Sequence, residues 1–131
     1  MKKNIIRTVK APAPIGPYNQ AVAYNGLLFI SGQIPLSPTT DEMLTGDIEA
    51  ETKLVMDNLQ AILMEAGMDF PNVLKTTIFL TDMNDFPKVN GIYGGYFAEG
   101  EAPARETVQV SRLPKDARVE ISMIAVEMNE L

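Results

Sequence analysis

Arg105 and Glu120 are charged residues in stretches that otherwise look like apolar strands, PARETVQVSRLPKDARVEI over residues 103–121. Thr107, Val108, Val110, Val119 and Ile121 all favour extended backbone. Isolated buried charge is expensive, so each charge needs a partner or a task. A guanidinium grips a carboxylate through two parallel hydrogen bonds, which makes Arg105 the candidate anion holder. A partly buried glutamate with a raised pKa moves protons, which makes Glu120 the candidate acid–base group. The structural alternatives are a salt bridge or a surface position for Arg105, and for Glu120 an exposed strand position paired with Arg118 or Lys115. Tyr18 follows the rigid Ile15-Gly16-Pro17 and either presents its hydroxyl to a cleft or anchors packing. Ser31-Gly32 either offers backbone N–H groups to an anion or simply ends a strand. Asn90 is an amide on a helix whose other face is apolar, with capping or solvent exposure as the alternatives.

Missing residue types narrow the chemistry. The 131 residues include no Cys and no His, which removes thiolate nucleophiles, disulfides, Cys-based zinc sites and the usual general base. Proton transfer falls to Asp, Glu, Lys, Tyr or water. Seventeen acidic residues against 11 basic ones give a formal charge of -6, which points away from broad nucleic-acid or anionic-membrane binding. A small anion held by one arginine stays compatible with that balance. No P-loop, G-x-G-x-x-G or G-x-S-x-G motif occurs. No apolar run approaches the ~18 residues of a membrane span, and Arg7 and Lys10 interrupt any signal-peptide core. The expected location is cytoplasmic.

The elements that must position these residues follow from periodicity. Residues 1–131 read as a single domain, beginning with a short strand over 4–9. Three prolines in residues 11–17 exclude regular structure there. Strands over 20–24 and 27–31 form a hairpin around Asn25-Gly26. Ile48, Thr52, Val55, Leu59, Ile62 and Ala66 place one helix over 48–66, with Asp47 as N-cap and Gly67 as terminator. Residues 73–80 suggest a strand covered on both faces. A second helix over 85–97 carries Phe86, Val89, Tyr93, Tyr96 and Phe97 on one face. Its Gly91, Gly94 and Gly95 each cost about 1 kcal/mol, so packing must hold it. Residues 103–126 read as a closing hairpin turning at Leu113-Pro114-Lys115-Asp116. The sum is an α+β sheet with helices on one face. In that hairpin Arg105 and Glu120 are offset by four residues, roughly 13 Å. If both serve one site, Glu120 comes from a neighbouring subunit.

Ile15-Gly16-Pro17-Tyr18, Ser31-Gly32-Gln33-Ile34-Pro35, Pro103-Ala104-Arg105, Leu113-Pro114-Lys115-Asp116 and Val119-Glu120-Ile121, in this order, resemble the Rid (YjgF) family of reactive-intermediate deaminases. Lys75-Thr76-Thr77 and Asn84-Asp85-Phe86 extend the likeness over nearly the whole chain. The resemblance implies a chorismate-mutase-like (YjgF-like) fold with a mixed sheet, assembled as a homotrimer with sites between subunits. It implies hydrolysis of 2-imino and 2-enamino acids such as 2-aminoacrylate to 2-keto acids and ammonia, without cofactor or metal. By motif, Arg105 binds the substrate carboxylate, and Glu120 and Tyr18 place water and assist proton transfer. Gly32 and the Thr107 backbone line the pocket, with Ser31, Phe86 and Asn90 nearby. Thr107 stands where many members have cysteine, Glu106 where a small residue is usual, and Ser122-Met123 where Glu-Ala is common. Alternation turns Glu106 away from Arg105. The alternatives are a non-catalytic trimer that binds small acids or proteins, and a ribonuclease or translation inhibitor.

Overall fold

The expected turn at Asn25-Gly26 is present in the computed structural model, which describes residues 2–128. Both turn residues take positive φ, 50° and 83°, the pairing a tight two-residue hairpin requires. Strand β1 (Asn4–Ile6) is shorter than expected and pairs with β2 (Ala21–Tyr24), which the turn joins to β3 (Leu27–Gln33). Met1 and residues 129–131, the ends of the single-domain span, lie outside the described residues.

Helix α1 (Ile48–Glu65) starts where Asp47 accepts hydrogen bonds from the N–H groups of Glu49 and Ala50. It ends before Gly67, whose φ of +77° a side chain would resist. Strand β4 (Val73–Leu80) follows, then α2 (Phe86–Gly94), β5 (Ala104–Gln109) and β6 (Val119–Val126). Helix α2 stops three residues short of the expected end, at the first of the paired glycines Gly94 and Gly95.

The expected closing hairpin is absent. The sheet order is β1-β2-β3-β6-β4-β5, so β4 lies between β5 and β6. Strand β5 pairs in parallel with β4 through the α2 crossover, while β6 runs antiparallel to both β3 and β4. The Leu113–Asp116 corner, with Lys115 and Asp116 both at φ 56°, carries the chain past β4 rather than folding it back on β5.

One face of this mixed sheet is covered by both helices. Leu28, Ile30, Ile78, Leu80, Val119, Ile121 and Met123 meet Val55, Leu59, Ile62, Val89 and Tyr93 in one buried core. The reading of β4 as covered on both faces is corrected within this chain: Thr76, Ile78 and Leu80 are buried, whereas Lys75, Thr77 and Phe79 are only half-buried on the other face. Phe29 and Val108 are exposed on that open face. One charge pair ties the layers together. Buried Glu51 on α1 binds the Arg118 guanidinium just before β6, and it accepts the Asp47 N–H at 3.1 Å.

Candidate active site

Register sends the two predicted chemical residues to opposite faces. Arg105 pairs with Thr76, whose buried side chain faces the helices, so Arg105 lies on the helix face of edge strand β5. Glu120 alternates with buried Val119 and Ile121, and so lies on the open face of β6. It pairs with Phe79, three residues along β4 from Thr76 and two strands from Arg105. That separation is about 10 Å in each direction, with the sheet between. The expectation that they do not meet within one chain holds, but for a different reason than a hairpin offset.

The cationic half is built by α2 and β5. Asn90 Oδ1 accepts a hydrogen bond from Arg105 Nη1 at 2.8 Å. The guanidinium carbon stands 5.1 Å from the Tyr93 ring centroid and 5.6 Å from that of Phe86, both within cation–π range. Arg105, Asn90, Tyr93, Gly94, Ala102 and Pro103 line an open cleft of about 430 Å³. The Val110 N–H donates to Leu80 O, so residues 106 and 108 also turn their backbone groups toward β4. By alternation, the Thr107 N–H points to the free edge, available to an anion beside Arg105. The Thr107 hydroxyl oxygen is buried without a hydrogen-bond partner. Glu106 faces away, as alternation predicts, and binds Lys75 at 2.9 Å and the Thr77 hydroxyl on the open face. Those contacts, the Thr77 hydroxyl first, hold its carboxyl below the usual range.

The acidic half is built by β3, β6 and the proline-rich loop. Gly32 sits directly against Glu120: a Cβ there would lie 2.7 Å from the Glu120 carboxylate oxygen. Burial alone raises the Glu120 carboxyl above its ordinary value. Arg118, its proposed neutralising partner, is taken by Glu51 instead. Gly32 and Tyr18 line one small cavity of about 30 Å³ with Pro12, Pro14, Ile34 and Leu36. Tyr18 is 47% exposed, and its hydroxyl accepts the Ile15 N–H at 3.3 Å. Ser31 directs both its donors into its own chain, the hydroxyl to Asn19 O at 2.6 Å and the N–H to Gln20 O at 2.9 Å.

Each half thus contains what the other lacks. Tyr93, which lines the cleft, and Thr76, which accepts its hydroxyl hydrogen bond, are not among the residues expected at the site. Their signal was a tyrosine on an apolar helix face and a threonine in an apolar strand, which usually means packing. Among the described residues, no group of three or more Asp or Glu could hold a metal ion, and no helix is long and apolar enough to cross a membrane.

The chain matches the family described as Endoribonuclease L-PSP over residues 8–127. It belongs to the Rid (YjgF) family. A RutC family protein of Synechocystis is 57% identical over 96% of this chain and 98% of its own length. The mouse protein named 2-iminobutanoate/2-iminopropanoate deaminase is 50% identical, covering 95% of this chain and 92% of its own. E. coli TdcF, solved with bound serine, superposes with a TM-score of 0.90 at 43% identity, covering 95% of this chain and 99% of that one. The six strands and two helices described above are therefore those of a Rid fold.

Proposed function

We propose that this protein hydrolyses small 2-imino and 2-enamino acids to 2-keto acids and ammonia, at clefts completed between copies in a homotrimer. The observation that carries this reading is the pair of incomplete half-sites. Among the described residues, Arg105 is a preorganised cation with no acid beside it, and Glu120 is a raised-pKa acid with no cation beside it. Arg105 stands on the edge strand, while Glu120 lies on an open face that also exposes Phe29 and Val108. An edge from one copy laid against the open face of the next brings the halves together and covers the apolar residues. The mouse relative's name and the serine in TdcF, a small amino acid, support a substrate of that size and charge.

The chemistry follows from the roles. Arg105 and the Thr107 N–H hold the substrate carboxylate, fixing C2 of the iminium toward the acidic half. Glu120 takes a proton from water as its oxygen bonds to C2, and Tyr18 orients that water. The proton then passes to the amino nitrogen. As the C–N bond breaks, the C2 hydroxyl gives its proton back to Glu120, and ammonia leaves a 2-keto acid. An enamine enters after protonation at C3. The iminium carbon is already electrophilic, so placement can supply the step without a cofactor.

The family description favours a second reading, RNA cleavage. A net charge of -6 and the lack of histidine weigh against it, since RNA-cleaving sites rely on cationic faces and acid–base pairs. A non-catalytic acid-binding trimer would use the same Arg105. Coupling to a serine or threonine dehydratase separates these readings: added protein accelerates keto-acid release. Arg105→Ala lowers kcat/KM about 100-fold or more, from two charge-assisted bonds at about 1.5–3 kcal/mol each. Keto-acid binding without acceleration would establish the binder instead.

A further inference from the structure

The Arg105 guanidinium rests on a ring that is itself tied down. Tyr93 is 3% exposed, and its hydroxyl donates to Thr76 Oγ1 at 3.0 Å, an atom on a fully buried residue. Thr76 is the residue that pairs with Arg105 across β4 and β5. Three links therefore close a loop. The sheet joins Arg105 to Thr76, a buried hydrogen bond joins Thr76 to Tyr93, and the Tyr93 ring carries the Arg105 guanidinium.

This loop has a purpose that packing alone does not demand. Helix α2 is nine residues long, contains Gly91 and Gly94, and its N-terminus has no side-chain cap. Left to propensity it would be poorly fixed. Yet it supplies three of the groups that hold Arg105: Phe86, Asn90 and Tyr93. A phenylalanine at 93 would fill the core equally well, and a valine at 76 would suit the strand better. A buried hydroxyl pair costs stability unless its geometry is met, and it specifies orientation when it is.

We propose that Thr76 and Tyr93 are positioning residues that set the Arg105 rotamer through the buried Tyr93–Thr76 hydrogen bond, deepening the carboxylate-binding reading given above. Thr76 is buried away from the cleft, and Tyr93, whose ring lines it, acts here through the hydroxyl it turns to Thr76. Asn90 fixes one end of the guanidinium and the Tyr93 ring fixes its plane, so the remaining N–H groups stay aimed at the cleft.

The test uses Tyr93→Phe, Thr76→Val and the double variant in the intact protein. Each single change removes the same bond, so each raises KM about fivefold with kcat within about twofold, since ground-state and transition-state binding suffer together. The double variant is no worse than either single. Nitrogen relaxation NMR of Arg105 Nε–Hε, assigned by its loss in Arg105→Ala, gives a second readout. Its S² falls from about 0.8 to below about 0.6 in both single variants. Unchanged KM and S² with only a lowered Tm, or multiplicative KM effects, would overturn the clamp. Should Tyr93→Phe not fold, Thr76→Val decides. Should the parent release no keto acid, the deaminase reading fails separately, and the relaxation arm still decides on the clamp.

Discussion

Gly32→Ala isolates what the position of the Glu120 carboxylate is worth. The added Cβ would stand 2.7 Å from the carboxylate oxygen, 2.8 Å from Cδ and 3.0 Å from Cγ. Ordinary contact begins near 3.4 Å, so the carboxylate must retreat by about 0.7 Å. That retreat is cheap in stability, because the obstacle is the far end of a flexible side chain. The unfolded chain also loses some freedom, a gain of about 0.4–1 kcal/mol where the backbone tolerates alanine. Catalysis is less forgiving, since a misplacement near 1 Å can cost about 100-fold. The expected result is a kcat lowered about 10- to 100-fold in the dehydratase-coupled assay, with KM within about threefold and Tm within about 5 °C. In a Glu120→Ala background the same alanine changes kcat no further. A Gly32→Ala protein with parental kcat would refute the claim that this carboxylate takes the proton from the attacking water.

Two further outcomes follow from the charges. Burial raises the Glu120 carboxyl above its ordinary 4.5, so the folded state holds that proton more tightly than the unfolded chain does. Its favourable contribution is therefore complete below the unfolded value and lost as pH rises through the folded one. Glu120→Gln should raise Tm at neutral pH and change it little near about pH 4, by thermal melts at both; equal shifts would contradict burial as the cause. The Glu51–Arg118 pair should be asymmetric, because Glu51 is 2% exposed and Arg118 39%. Arg118→Ala strands a buried carboxylate at a cost of about 3 kcal/mol or more in urea unfolding, whereas Glu51→Ala frees an arginine that reaches water and costs clearly less.

Local chemistry was legible in the sequence and strand adjacency was not. The Asn25-Gly26 turn, the Asp47 cap and the 48–66 stripe each act within a few residues, and all appear where periodicity puts them. The LPKD corner misleads because a turn residue reports a change of direction, not which strand lies beside the next one. Residues 73–109 contained the better clue: a strand, a helix and a strand of this length make a parallel crossover, which places β5 beside β4. The sides of the sheet then followed from alternation. Tyr93 and Thr76 stayed hidden because one hydrogen bond between buried hydroxyls leaves no trace in hydropathy.

Subunit mixing tests the shared site most directly. Arg105→Ala and Glu120→Ala chains, each retaining only a small residual rate alone, are unfolded together and refolded in equal amounts. If every site takes its arginine from one copy and its glutamate from the next, about a quarter of the sites in random mixtures are intact, whatever the ring size. Keto-acid release should therefore return to about a quarter of the parental rate. Mixed assemblies confirmed by native mass spectrometry that stay at the residual rate would contradict a site completed across two copies.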